Sequence, residues 1–170
     1  ILRMLNSGFG DFADTTFDLY PADLREEIDA INARIYPALN NGVYRAGFAT
    51  TQIAYEEAFQ DVFAMLDELE GRLGDGRDFL LGDRFTEADV RLFVTLVRFD
   101  VAYHGLFKCN LRRIADYPAL SAYQARILAL PGVCETVSID HIKRGYYSIK
   151  ALNPTGIVPV GPELQAALAG

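Results

Sequence analysis

One segment narrows the fold more than any other: RFTEADVRLFVTLVRFD, from Arg84 to Asp100. Thr86 is placed to cap a helix by accepting a hydrogen bond from the Asp89 amide, and Asp89 can reach back to the Thr86 amide. That is a capping box with Asp in the Glu position. Phe85 before the cap and Val90 after it have the spacing of a hydrophobic staple. The helix that follows is apolar nearly all round, with Val90, Leu92, Phe93, Val94, Leu96, Val97, Phe99 and Val101. A helix like this has no face suited to water, so it must be the buried centre of a bundle. Loss of the Thr86 cap should cost about 1 kcal/mol.

The rest of the chain supplies the cover. From Ala22 to Asn40, Leu24, Ile28, Ile31, Ile35 and Leu39 fall on one helical face. Asp23, Glu26 and Glu27 lie in the first turn, where the helix dipole favours them. Pro37 predicts a kink or an early end, and Asn40-Asn41-Gly42 reads as a left-handed cap. A second helix should begin at Thr50 or Thr51 and run to about Leu73, before the turn GDGRD. Further helices are expected over Ala119–Leu130 and, past Pro131-Gly132, over Val133–Tyr147. No strand pair is evident, so the chain reads all-α. Residues 1–18 read as the end of a preceding helix and a linker, 19–150 as the helical domain, and 151–170 as an extended tail whose last residues are tempted into helix.

Composition excludes several functions. A net charge of -7 disfavours non-specific binding to nucleic acid or anionic membrane, which call for a basic face. No apolar run approaches the roughly 18 residues of a membrane span. Cys109 and Cys134 have no CxxC spacing, and His104 and His141 make no metal-ligand pattern with them. Two incidental thiols in a reducing cytoplasm are the expectation, with no metal.

Few residues suggest chemistry. Cys109 stands near Lys108, Arg112 and Arg113, a mildly thiolate-favouring setting, but no histidine is evident as its partner. Cys134 falls in the expected first turn of a helix. Tyr36, Tyr55, Tyr117 and Tyr123 suit packing on helix faces. Tyr44, in the polar connector NNGVYRAGFAT, and the pair Tyr146-Tyr147, at a helix end, are placed differently. A phenol there can give a hydrogen bond or a proton to a substrate oxygen, or can simply pack at a half-wet site.

Taken in order, the segments resemble a known family. LLGDRFTEADVRLF is similar to the capping-box segment of the glutathione transferase C-terminal domain. NNGVYRAGFATTQIAYEEA, LVRFDVAYHGLFKCNLRRIADYP, LPGVCETVSIDHIKRGYY and LNPTGIVPVGP resemble the helical domain of the glutathionyl-hydroquinone reductases, the Xi class, from about Leu19 to Pro162. The resemblance implies an all-α bundle of the glutathione transferase C-terminal type, whose thioredoxin-like N-terminal domain is absent from this chain. In that domain a cysteine attacks the sulfur of a glutathionyl-hydroquinone, and a second glutathione, the co-substrate, resolves the mixed disulfide. The resemblance matches Tyr44 and Tyr146 to pocket tyrosines, with Tyr147 and Tyr103 as further substrate-binding candidates. It also implies a homodimer. Neither cysteine of this chain matches the family nucleophile; Cys134 stands where a small residue is expected, and Gly145 where a bulkier one is common. Two other functions fit the same residues: a non-catalytic binding or dimerisation module, and a conjugating transferase using serine or tyrosine in the missing domain.

Overall fold

Residues 1–12 and 17–162 are described by the computed structural model. Among them are seven α-helices: α1 Leu2–Ser7, α2 Arg25–Ile35, α3 Gly42–Gly47, α4 Gln52–Leu73, α5 Glu87–Arg98, α6 Pro118–Leu128 and α7 Ile139–Tyr147. They contain no strand, only one isolated bridge between Phe79 and Gly82 that closes a turn.

The capping box forms at the start of α5. Asp89 is fully buried, and its carboxylate accepts from the amides of Leu80 (2.9 Å) and Thr86 (2.8 Å) and from the Tyr123 hydroxyl (2.8 Å). One side chain therefore ties the 80–86 loop and α6 to the N-terminus of α5. Its burial raises the carboxyl above its ordinary range, and the hydrogen bonds only partly offset that. Thr51 caps α4, accepting from the Ala54 amide at 3.2 Å. The core then joins Ile28, Ile31 and Ile35 of α2, Val62, Leu66 and Leu69 of α4, Leu92 and Leu96 of α5, and Leu120, Tyr123 and Ile127 of α6.

Several expectations are corrected. Asn40-Asn41-Gly42 is no left-handed stop: Asn41 has φ -86° and Gly42 opens α3. Glycine is needed for space instead, since a Cβ on Gly42 would lie 2.9 Å from the Val62 side chain. The helix expected over Val133–Tyr147 begins only at Ile139. Before it, Cys134–Thr136 is a single 3-10 turn, and Ser138 caps α7 by accepting from the His141 amide. Nor is α5 buried all round, because Val94 is 42% exposed.

Two helices end in π turns, each closed by an i to i+5 bond. Over Tyr36–Asn40 the Asn41 amide reaches the Tyr36 carbonyl, and over Phe99–Tyr103 the His104 amide reaches the Phe99 carbonyl, both at 2.8 Å. Pro37, in the first of these, has no amide to give, which suits a break in the α ladder. From Ala151 to Pro162 the chain runs without regular structure. Buried Lys143 of α7 holds it by donating to the Val160 carbonyl at 2.6 Å. The helical tendency expected of the last residues falls at 163–170, outside the described residues.

Candidate functional site

Both π turns and α3 converge on one open pocket of about 470 Å³. The first π turn brings Tyr36 and Asn40, α3 brings Tyr44, and the second brings Tyr103. From α5 come Val90, Arg91, Val94, Thr95 and Arg98; α7 adds Tyr146 and α1 adds Leu2. Val94 is exposed because it faces this space.

Three of the four tyrosines singled out from the sequence meet here. The Tyr146 hydroxyl lies 2.6 Å from that of Tyr44 and 2.7 Å from that of Tyr103. The Tyr103 and Tyr146 rings stand edge to face, with centroids 5.2 Å apart. Phe107 backs the cluster, its centroid 5.3 Å from Tyr44, 5.2 Å from Tyr103 and 5.7 Å from Tyr146. It can do so because residue 47 is glycine: a Cβ there would lie 2.4 Å from the Phe107 ring. Tyr147 does not line the pocket. It points elsewhere, where a Cβ on Gly105 would meet its hydroxyl at 3.1 Å.

The electrostatics keep Tyr103 and Tyr146 protonated. Burial pushes Tyr146 up to about 12, opposed by its hydrogen bond with Tyr103 and by the positive charge of Arg98. Burial also raises Tyr103, and so do its hydrogen bond with Tyr146 and the nearby Tyr44 hydroxyl. Arg91 is fixed by Glu87 (2.9 Å), while its carbonyl accepts from Asn40 (2.9 Å). Arg98 gives one hydrogen bond to the Val94 carbonyl. The site thus offers an aromatic wall, phenolic donors and two guanidinium groups, which suits a flat ligand bearing oxygen atoms.

Neither cysteine lines the pocket. Cys109 is buried, and burial pushes its thiol up to about 12, so it is protonated at neutral pH. Of the basic neighbours noted in the sequence, Arg112 pairs with Asp67 and Arg113 with Asp116, and only Lys108 opposes the rise. His141 lines a smaller cavity of about 220 Å³ between α5 and α7. Among the described residues no group of three or more His, Cys, Asp and Glu side chains could hold a metal ion.

The sequence reading missed Tyr36, Asn40, Arg91, Thr95 and Arg98. Tyr36 was expected to pack on a helix face and is 58% exposed at the pocket instead. A signal was present: Arg91, Thr95 and Arg98 recur at i, i+4 and i+7, a polar stripe down a helix that is otherwise apolar.

Comparison with known proteins fits this geometry. The glutathione S-transferase C-terminal domain family matches residues 52–126. The chain is 60% identical over 163 residues to the glutathionyl-hydroquinone reductase PcpF of Sphingobium chlorophenolicum, covering 95% of this chain and 52% of that protein. It is 48% identical to the glutathionyl-hydroquinone reductase YqjG of Escherichia coli, over 95% of this chain and 49% of that one. The chain therefore spans about half the length of the curated relatives it matches. The glutathione-bound structure of YqjG superposes with a TM-score of 0.93 at 46% identity, covering 98% of this chain and 54% of that one. The Xi glutathione transferase of Phanerochaete chrysosporium gives 0.90 at 46% identity, over 95% and 53%. In sequence and in backbone alike, the chain is a glutathione transferase C-terminal helical domain, similar to the C-terminal half of the glutathionyl-hydroquinone reductase, or Xi, class.

Proposed function

We propose that this chain forms the substrate wall of a glutathione-dependent reductase of glutathionyl-hydroquinones. The observation that carries this reading is the cluster of Tyr44, Tyr103 and Tyr146 hydroxyls at one pocket. The nucleophile is a cysteine of a thioredoxin-like domain, not Cys109 or Cys134. Its thiolate attacks the substrate sulfur, forming a disulfide with glutathione and breaking the carbon–sulfur bond. The electron pair goes to the quinol ring, which gains one proton at that carbon. A second glutathione, as thiolate, displaces the enzyme thiolate to give oxidised glutathione, so the net reaction consumes one thiol and releases the hydroquinone. Tyr44 and Tyr146 hydrogen-bond the quinol oxygens as the charge on the ring shifts. Residues 19–150 are the working domain, 1–18 the end of a preceding element and a linker, and 151–170 an extended tail; the protein acts in the cytoplasm as a homodimer.

A chimera tests this. The chain replaces the matching half of the Sphingobium reductase, and release of hydroquinone from a glutathionyl-hydroquinone is measured. Activity is expected, with Tyr146→Phe slowing turnover about a hundredfold while the fold persists. A folded but inactive chimera that still binds hydroquinone would indicate a binding module. One that instead conjugates glutathione to electrophiles would indicate an ordinary transferase.

A further inference from the structure

Among the described residues, every charged side chain that lines the pocket is positive. Acidic residues outnumber basic ones 23 to 16 in the chain, yet the wall holds Arg91 and Arg98 and no carboxylate. The two guanidinium groups differ. Arg91 gives its Nε to the buried Glu87, which pairs with Arg3 as well, so its charge is answered within the protein. Arg98 has no such partner: among the described residues it forms no ion pair, and its one hydrogen bond goes to the Val94 carbonyl of its own helix. It lines both the pocket and the smaller cavity, where His141 is the other titratable group. The tyrosines add a donor. Three phenol hydroxyls bring three protons to the two hydrogen bonds between them. Whichever way those bonds run, at least one proton is left over, and all three residues line the pocket.

An unanswered positive charge and a spare O–H donor favour the same ligand atom, an oxygen that bears negative charge. We propose that the pocket takes its aromatic ligand as the phenolate, with Arg98 as the counter-charge and the tyrosine hydroxyls as hydrogen-bond donors. The ligand class is a ring whose hydroxyl ionises near neutral pH, as electron-withdrawing substituents make it do. Binding of such an anion stands on the pocket wall alone. That the anion is a quinol on its way through the reaction rests on the function proposed above, in which Arg98 balances the negative charge reaching the ring as the carbon–sulfur bond breaks.

The probe is 4-nitrophenol, whose phenolate absorbs visible light and whose phenol does not. Tyr103 and Tyr146 stay protonated where it ionises. Its absorbance is followed against pH, free and with the chain in saturating excess. Bound probe is expected to ionise about one pH unit below free probe, so that the phenolate binds about tenfold tighter than the phenol. Arg98→Gln should abolish the lowering and Arg98→Lys should keep most of it, a difference that a packing role alone does not produce. Burial in an apolar cleft acts the other way, so a bound probe that ionises at the same pH as free probe, or higher, overturns the proposal. A lowering that survives in Arg98→Gln, or the absence of saturable binding, overturns it too. If Arg98→Gln does not fold, Arg98→Met is read in its place. The titration needs no turnover. An inactive chimera beside an Arg98-dependent lowering would sink the reductase function and leave the phenolate site standing; an active chimera without the lowering would do the opposite.

Discussion

At the scale of single residues, two glycines that look alike in the sequence behave oppositely. Gly145 lies inside α7 with open space beside it. Gly145→Ala should stabilise the chain by about 0.5–1 kcal/mol through helix propensity alone, as read in urea unfolding. Gly47→Ala should cost about 1–3 kcal/mol, because the new methyl collides with Phe107, and the three-phenol cluster should be disturbed with it. Asp100 makes a pH prediction. Its carboxylate accepts from the amides of Ile114 (2.6 Å) and Ala115 (3.2 Å), yet burial holds its pKa above the ordinary carboxylate range. A raised folded pKa contributes stability that is present below the unfolded value of about 4 and lost as pH rises through the folded one. Asp100→Asn should therefore flatten the decline in unfolding free energy from about pH 4 towards neutrality. An unchanged slope would show that Asp100 is not the group responsible.

At the scale of elements, α5 was the most legible part of the chain, because capping chemistry and apolar content are local. Asp89→Ala strands the Leu80 and Thr86 amides and the Tyr123 hydroxyl in the core, and should cost about 3 kcal/mol or more. Thr86→Ala should cost about 1 kcal/mol. Similar costs for the two variants would mean that Asp89 acts only as a cap. The extent of α4 was legible for the same local reasons. What the sequence concealed was tertiary: the apolar count on α5 masked Arg91, Thr95 and Arg98, whose common face mattered only once α3 and α7 stood opposite. Gly42 passed for part of a helix stop and Gly47 for part of a connector because the side chains that need their space, Val62 and Phe107, are far along the chain. The tyrosines themselves were picked out by their polar settings and by the resemblance; that they touch could not be read from spacing.

At the scale of the whole molecule, contacts distant in sequence hold the pocket walls in place. Arg3 of α1 donates to Glu87 at 3.2 Å and also pairs with Asp29 of α2, and Asn6 accepts from the Leu19 amide at 2.8 Å, so the start of the chain is clasped to α2 and α5. At the other end Lys143 holds the segment that follows α7. Ending the chain at Lys150 removes the Val160 acceptor and leaves a buried ammonium without it. Amide exchange in α7 should then accelerate while that in α4 stays slow; equal protection in both chains would mean that the tail does not brace Tyr146. The π turns carry one more consequence, for how such a site arises. A π turn is an α-helix with one residue too many, and each helical residue turns the following chain by about 100°. Deleting a single codon within Phe99–Tyr103 would let α5 run on regularly and swing Tyr103 out of line with Tyr146. The pocket's chemistry can thus be gained or lost through one small insertion or deletion, a route that comparing substitutions alone would miss.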